Sequence, residues 1–279
     1  MHDDTTFARV QRVERTGSTN SDLREAARAD PEAWPHLSVL VARSQEAGRG
    51  RAGRTWVTPP GTALTASVLL RPRVPTDRLA WVTLLGGLAV QRATAELAGV
   101  RTGIKWPNDV LALGAGDVGV PGWGTDRKVA GLLAEALPPP AAGDHLARPA
   151  VVLGVGVNVA QTELPVAWAT SLHLAAARAD SDVRPGVEEV LEGVGRHLAA
   201  LLERWEAADG DAEAAGLAAE VREVCVTLGG EVRAELPGGE VLTGTAAGLD
   251  ADGHLVVRTA AGERSVQAGD VLHVRTSGA

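Results

Sequence analysis

Runs of apolar residues divide most of the chain into strands and helices. Short apolar runs predict strands over residues 7–14, 37–42, 64–70, 104–113, 129–137 and 151–159. Longer runs of helical composition predict helices over residues 21–29, 79–97, 187–206 and 211–224. The turn Gly17-Ser18-Thr19-Asn20 precedes the first helix and supplies capping side chains. This order of elements predicts an α/β (α+β) fold around a β-sheet.

The pattern changes after Thr227. Short runs at residues 231–235, 241–245, 255–258, 264–267 and 271–275 alternate with glycine-containing turns. Such spacing is typical of a small β-barrel or SH3-like sheet of about 50 residues. We therefore predict two domains, residues 1–224 and residues 225–279. Two stretches, the glycine-rich residues 114–126 and the proline-led residues 138–148, are predicted surface insertions.

Composition and charge exclude several classes of protein. With 279 residues, 45% apolar content and mean hydropathy of +0.02, the chain is expected to be globular rather than disordered. Its net charge of -8 disfavours a dedicated nucleic-acid binder. The single cysteine, Cys225, excludes internal disulfides and cysteine-cluster metal sites. No signal peptide precedes the first strand, and the longest apolar stretches are too short to span a bilayer, so we expect a cytoplasmic protein.

A loop rich in glycine and arginine is the strongest local signal. Residues 45–54 read QEAGRGRAGR and lie between two predicted strands. Glycine lets backbone N–H groups approach an anion, and the arginine side chains match phosphate or carboxylate groups. A solvated basic loop and an RNA-binding segment are the alternatives. The acidic chain and the flanking strands disfavour RNA.

Two further segments place polar groups at strand ends. Residues 103–109 (GIKWPND) carry a strand into a Trp-Pro turn that presents Asn108 and Asp109; taken alone, an ordinary turn explains this. Residues 126–133 place Lys128 at the start of an apolar strand, where a lysine is usually a solvated edge residue. Beside a basic glycine loop, however, Lys128 can bridge a carboxylate and the phosphate that it attacks.

The apolar run 151–159 carries glycine at alternate positions. Gly154 and Gly156 share one face of this strand, and Asn158 follows them. Missing side chains leave a groove for a flat ligand, while an asparagine side chain suits the edge of a purine. A tightly packed central strand is an equally good explanation of the glycines alone.

Together these segments resemble the catalytic domain of biotin–protein ligases. The matching stretches are residues 18–20 (STN), 45–54, 105–109 (KWPND), 127–131 (RKVAG) and 154–158 (GVGVN), in the family's order. The resemblance implies a class-II-synthetase-like domain, with a mixed β-sheet and helices on one side, followed by an SH3-like C-terminal domain. Only about 16 residues precede Gly17, so we expect no helix-turn-helix and no operator binding.

The resemblance also implies roles for individual residues. Biotin would contact Ser18, Thr19, Asn20, Gln45, Arg49, Gly50, Arg51, Lys128, Gly154 and Gly156. ATP would contact Arg49, Arg51, Arg54, Asn108, Lys128 and Asn158. Catalysis would rest on Lys128, Arg51 and Asp109, with Asp109 near the target amine or the metal. Trp168 is where an aromatic ring could pack on the adenine.

The implied reaction has two steps and needs no protein nucleophile. Biotin and ATP, with Mg²⁺, form biotinyl-adenylate, and a lysine of the biotin carboxyl carrier protein of an acyl-CoA carboxylase then takes the biotinyl group. We expect a monomer or weak homodimer, with no DNA or membrane partner. A lipoate or octanoyl ligase of the same fold is the nearest alternative, and a nucleic-acid-binding module is the alternative from another class.

Overall fold

A computed structural model describes residues 6–138, 150–236, 238–267 and 270–273. Seven of its strands form one sheet in the order β1-β2-β3-β7-β6-β5-β4. Their bounds are β1 (Arg9–Thr16), β2 (Ser38–Gln45), β3 (Ala63–Leu70), β4 (Thr102–Lys105), β5 (Asp109–Ala112), β6 (Arg127–Leu137) and β7 (Ala150–Asn158). The β1–β2 pair is parallel and the other neighbouring pairs are antiparallel, so the predicted mixed sheet is confirmed.

The single strand predicted over residues 104–113 is wrong. The chain turns at residues 106–108, and β4 and β5 pair as an antiparallel hairpin in which Lys105 lies opposite Asp109. Pro107 lacks a backbone N–H and restricts its own φ, so it favours a turn over a continuous strand. Asn108 fixes this turn to β6, because its side-chain amide donates to Leu132 O and its own carbonyl accepts from Leu132 N.

Five α-helices accompany the sheet among the described residues. They are α1 (Thr19–Ala29), α2 (Trp81–Ala98), α3 (Leu172–Arg178), α4 (Val187–Ala207) and α5 (Leu217–Val224). The long helices α2 and α4 pack with one another and cover one face of the sheet. The shorter α1 lies on the opposite face, where Leu23 packs near Leu69 and Val152. The helix predicted over residues 211–224 begins only at Leu217, and α3 was not predicted.

The start of α1 differs from the capping that its sequence predicts. Ser18 occupies the N-cap position but makes no capping hydrogen bond through its side chain. Gln45, at the end of β2, caps the helix instead. Its side-chain Oε1 accepts from the backbone N of Thr19 at 2.8 Å and from Thr19 Oγ1 at 3.0 Å. A side chain from a neighbouring strand therefore satisfies a free N–H of the first helical turn.

The remaining strands form a second, antiparallel sheet in the order β11-β10-β9-β8-β12. Their bounds are β8 (Glu231–Glu235), β9 (Val241–Leu249), β10 (Leu255–Thr259), β11 (Gly262–Val266) and β12 (Asp270–His273). The predicted small C-terminal β-structure is thus present. The domain boundary between residues 224 and 225 stays a prediction.

Two tryptophans, one at the start of α2 and one in the β4–β5 turn, join the second sheet to the rest of the protein. Trp81 Nε1 donates to Ala251 O at 2.8 Å, and Trp106 Nε1 donates to Gly253 O at 3.0 Å. Cys225 lies on the connection, beside β4, and burial raises the pKa of its thiol. These contacts bring the turn between β9 and β10 of the small sheet to the start of α2 and to the β4–β5 turn of the large sheet.

The two predicted insertions have different outcomes. Residues 114–126 form a loop that Arg127 holds, because its guanidinium donates to the carbonyls of Gly124 and Asp126, both at 2.9 Å. The insertion predicted over residues 138–148 lies, except for Pro138, outside the described residues. Among the described helices, none combines the length and the apolar character that a membrane crossing requires.

Candidate active site

A row of small and polar residues forms the floor of the candidate site. In the register of the sheet, Thr65 lies opposite Gly156, Gly156 opposite Gly131, Gly131 opposite Asp109, and Asp109 opposite Lys105. Directly opposed residues point to the same face of a sheet. The row therefore crosses five strands on one face, with missing side chains in its middle and charged groups at one end.

One end of this floor is closed by the start of α1. Ser67 Oγ donates to Asn20 Oδ1 at 2.6 Å and to Thr19 Oγ1 at 2.8 Å, and Asn20 Nδ2 donates to Leu133 O at 3.1 Å. Gly154 permits this arrangement, because a Cβ there would lie 2.5 Å from Asn20 Oδ1. The Ser-Thr-Asn motif is thus held rigidly against the glycine strand.

The glycine–arginine loop is a closed hairpin over the site. Gly50 N donates to Arg54 O at 2.7 Å, and Trp56 N donates to Gly48 O at 2.8 Å. Residues Arg51–Gly53 form a single 3₁₀ turn at its tip. Arg49 Nη2 donates to Ser21 Oγ at 2.8 Å and lies 3.4 Å from Glu135 Oε2. The Arg49 guanidinium is therefore anchored on α1 and β6.

Trp56 follows this loop and lies on the glycine floor. A Cβ on Gly156 would lie 2.5 Å from the Trp56 ring, and a Cβ on Gly131 would lie 3.3 Å from it. Within the described part of the chain, Trp56 Nε1 and Thr65 Oγ1 are buried without a hydrogen-bond partner. Buried polar atoms normally have partners, so two such atoms at one cavity indicate a place for a polar ligand.

An ion pair occupies the charged end of the floor. Lys128 Nζ lies 2.6 Å from Asp109 Oδ1 and 5.4 Å from the centre of the Trp56 ring. Lys105 and Lys128 are the only lysines in the sequence, and both line the cavity. Neither is an ordinary solvated surface lysine, which argues against the alternative that Lys128 is merely a solvated residue at the edge of a strand. A cation here can offset the repulsion between two anionic reactants.

Two asparagines stand at the same end with their amides engaged by the protein. Asn158 Nδ2 donates to Thr170 O at 3.0 Å, and Gln161 Nε2 donates to Asn158 Oδ1 at 2.9 Å. Asn158 thereby holds the loop that follows β7, and Asn108 holds the β4–β5 turn. In this structure both asparagines position backbone, and their predicted contacts with adenine stay predictions.

Insertion residues 114–126 contribute an outer wall. Trp123 stacks on Trp168 with ring centres 6.1 Å apart and an interplanar angle of 12°. Lys105 Nζ lies 5.0 Å from the centre of the Trp123 ring and donates to Val271 O of β12 at 2.7 Å. The insertion, the loop after β7 and the small sheet therefore meet at one mouth of the cavity.

These elements enclose one cavity of about 640 Å³. Every predicted site residue lines it: Ser18, Thr19, Asn20, Gln45, Arg49, Gly50, Arg51, Arg54, Asn108, Asp109, Lys128, Gly154, Gly156 and Asn158. Sequence reasoning missed Trp56, Thr65, Lys105 and Trp123 as lining residues. Trp56 directly follows the loop motif, so that signal was readable; the position of Trp123 depends on a tertiary contact.

Within the part of the chain that the structure describes, no cluster of three His, Cys, Asp or Glu side chains that could hold a metal ion lies in the cavity. Among the described residues, the three-ligand cluster that lies close enough for an ion is Asp250, Asp252 and His254, in the turn after β9. These groups are engaged elsewhere, since Asp252 pairs with Arg78 and Asp250 accepts a short hydrogen bond from Ser265. Mg²⁺ commonly binds through one or two carboxylates and substrate phosphates, and Asp109 fits that limited role.

Comparisons with known proteins agree with this geometry. Residues 13–158 match the Biotin/lipoate A/B protein ligase family, and residues 227–274 match the Biotin protein ligase C terminal domain. The chain is 37% identical to the biotin--[acetyl-CoA-carboxylase] ligase of Mycobacterium tuberculosis over 94% of this chain and 88% of that protein. It is also 37% identical to the same enzyme of Paracoccus denitrificans over 52% of each chain.

A solved structure extends the likeness to the whole fold. The biotin protein ligase of Aquifex aeolicus, in complex with biotin and ATP, superposes with a TM-score of 0.72 at 26% identity, over 97% of this chain and 100% of that one. The motifs, both matched domains and the mycobacterial relative agree. The chain belongs to the biotin/lipoate A/B protein ligase family and is a biotin–protein ligase, as its motifs predict.

Proposed function

We propose that the 640 Å³ cavity carries both steps of biotin transfer, with biotin at the α1 end and ATP at the outer end. The observation that carries this proposal is the row Thr65–Gly156–Gly131–Asp109–Lys105. It gives a flat floor with the unpaired Thr65 hydroxyl near one end and two lysines at the other. A neutral ring with a carboxylate tail fits such a gradient from hydrogen-bonding groups to cations.

In the first step the biotin carboxylate attacks the α-phosphorus of ATP. A bond forms between a carboxylate oxygen and the α-phosphorus. The bond between the α-phosphorus and the oxygen that bridges it to the β-phosphorus breaks, and pyrophosphate leaves. Both reactants are anionic, and Lys128, whose ammonium group lies in the cavity beside Asp109, is assigned to contact the carboxylate and the α-phosphate together. Asp109 holds Lys128 in position. Arg51 and Arg54, on the loop, are assigned to the phosphates.

In the second step a lysine amine of the carrier protein attacks the carbonyl carbon of the adenylate. A C–N bond forms, the C–O bond to phosphate breaks, AMP leaves and the amine loses a proton. No nucleophile of the enzyme is needed, so positioning and electrostatics provide most of the acceleration. The closed hairpin of the loop, together with Trp56, covers the adenylate and excludes water.

Mg²⁺ is assigned to the ATP phosphates and arrives with them, neutralising charge in the first step. The carrier is assigned as the biotin carboxyl carrier protein of an acyl-CoA carboxylase, because the mycobacterial relative is named for acetyl-CoA carboxylase. A cytoplasmic location, the absence of operator binding and a monomeric or weakly dimeric state remain predictions from the sequence.

A single incubation tests substrate, reaction and partner together. The protein is incubated with biotin, ATP, Mg²⁺ and a carrier domain, and the product is detected with streptavidin. We expect labelled carrier only when ATP is present, and a carrier whose target lysine is replaced by arginine is the control. Lipoate replaces biotin in a parallel reaction, read by mass spectrometry. Transfer of lipoate and not biotin would contradict the proposal.

A further inference from the structure

The side chain of Glu135 connects the ring-binding end of the cavity with the loop that covers it. Glu135 lies on β6, and its side chain is mostly buried. Its Oε2 accepts from Asn20 Nδ2 at 2.8 Å and lies 3.4 Å from Arg49 Nη2. One carboxylate oxygen therefore contacts both the Ser-Thr-Asn motif and the glycine–arginine loop.

The other oxygen of Glu135 secures the arrangement from α1. Arg24 Nη1 donates to Glu135 Oε1 at 3.0 Å. Asn20 is also fixed by Ser67 and by Leu133 O, so its amide cannot move to follow a displaced partner. The carboxylate is thus held by α1 and by its own strand, and Arg49 is the most exposed member of the set, with a side chain that is 47% exposed.

Arg49 attaches the outer part of the glycine–arginine loop to α1 and β6. Backbone hydrogen bonds close the hairpin on itself, from Gly50 to Arg54 and from Trp56 to Gly48, and the base of the loop is attached to the turn before α1, from Ala47 to Gly17. Beyond them, Arg49 reaches across to α1 and β6 through Ser21 and Glu135. Glu135 is the ionic member of this pair of contacts.

We propose that Glu135 is a positioning residue that latches the glycine–arginine loop over bound biotinyl-adenylate. This rests on the proposed function for the identity of the ligand. The latch is the Glu135–Arg49 ion pair. Loss of its charge leaves the cavity floor and Lys128 unchanged but lets the loop open more often. Biotinyl-adenylate is then released faster, while the rate of its formation stays the same.

The substitution Glu135→Gln removes the charge of the latch, together with the ion pair between Glu135 and Arg24. Glutamine keeps an oxygen that accepts from Asn20 but carries no charge for Arg49. Glu188→Gln is the matched control, because Glu188 forms an exposed ion pair with Arg12 at 2.6 Å and does not line the cavity. Both variants remove a carboxylate that is paired with arginine, but Glu135 pairs with Arg24 as well as with Arg49 and is less exposed than Glu188, so the latch itself is isolated by the double-mutant cycle with Arg49 described below.

The first measurement needs no substrate. Limited trypsin digestion reports access to Arg49, Arg51 and Arg54, the cleavage sites of the loop. We expect cleavage there to be on the order of fivefold faster in Glu135→Gln than in wild type, the size expected for one partly exposed ion pair, and unchanged in Glu188→Gln. Equal loop cleavage in all three proteins would overturn the latch.

The second measurement follows the adenylate itself. Wild-type protein, biotin and α-labelled ATP are mixed, and the labelled adenylate that stays with the protein is followed by rapid gel filtration. We expect release about fivefold faster in Glu135→Gln, with pyrophosphate formation in a single turnover close to wild type. If wild type forms no adenylate, the proposed function fails; if wild type retains it and Glu135→Gln retains it equally, the latch alone fails.

A double-mutant cycle distinguishes the latch from general damage. If Glu135 acts through Arg49, the effect of Glu135→Gln on adenylate release disappears in an Arg49→Gln background. Additive effects of the two substitutions would mean that Glu135 supports the fold or Asn20 instead, and the proposal would be withdrawn. Thermal unfolding of each variant supplies the stability comparison.

Discussion

The two faces of strands β3 and β7 carry opposite kinds of residue on the same backbone. Toward α2 and α4, the strands present Leu64, Val68, Leu153 and Val157, which are almost completely buried. On the opposite face they carry Thr65, Ser67, Gly154 and Gly156, and all of these except Ser67 line the cavity. A strand places successive side chains on alternate faces, so one sequence pattern serves both faces. The contrast teaches that the large apolar side chains of the core face stabilise the fold by their burial. The small and polar side chains of the cavity face contribute less stability and leave room for a ligand.

The largest effect should come from removing the cation at the end of the cavity face. Lys128→Ala takes away the group assigned to both anionic reactants, and we expect pyrophosphate release to fall roughly 10³-fold. The unfolding midpoint should also fall, because the buried carboxylate of Asp109 loses its cation, so release is measured at a temperature where the variant is folded. Arg196→Ala, which removes an exposed arginine paired with Glu96, is the control. Near-normal pyrophosphate release from Lys128→Ala would refute its assigned role.

A substitution on the core face should lower the stability of the fold and leave ligand binding unchanged. Leu153→Ala removes a fully buried side chain that packs against Gly86 of α2, and we expect a loss of about 2–5 kcal/mol in the free energy of unfolding. Urea denaturation measures this loss. At a temperature where the variant is folded, its Km for biotin should match wild type. A variant that is stable but binds biotin poorly would break the division between the faces.

Gly154→Ala tests the neighbouring position on the cavity face. The added methyl group would lie 2.5 Å from Asn20 Oδ1, and Asn20 is held by Ser67 and Leu133 O. We expect the dissociation constant for biotin to rise on the order of tenfold, as the loss of one well-placed hydrogen bond would predict.

The chain offers a matched glycine for comparison. Gly248→Ala, on β9, adds the same methyl group where no atom lies within 4 Å. Calorimetry with biotin should therefore show no change for Gly248→Ala. Equal loss of affinity in both variants would show that the effect of Gly154→Ala is not local.

Much of the cavity face could be predicted because its residues belong to short, contiguous motifs. Gly154 and Gly156 share a face by strand alternation alone, and the order of strands and helices follows from apolar periodicity. What joins distant segments could not be predicted in this way. Glu135 is 115 residues from Asn20, and nothing local marks it.

The hairpin at residues 106–108 teaches a related lesson. Its apolar flanks continue on both sides of Pro107, so periodicity alone extended one strand across a turn. Gln45 is a second case, since its carbonyl oxygen caps α1, a partner that sequence spacing does not reveal. The motifs located the site, and the tertiary contacts decided what each side chain does there.

The smallest expected effect concerns the outer wall of the cavity, which is formed by loop residues 114–126 and not by either face of the sheet. Trp123→Ala removes the ring that stacks on Trp168 and faces the Lys105 ammonium. An aromatic pair is worth about 0.5–1.5 kcal/mol beyond its burial, which corresponds to roughly a 2- to 13-fold rise in the Km for ATP. Trp123→Phe keeps a ring and should recover most of this loss, while the Km for biotin stays constant in both variants. A change in the Km for biotin alone would place the nucleotide elsewhere, and the assignment of the two ends of the cavity would have to be reversed.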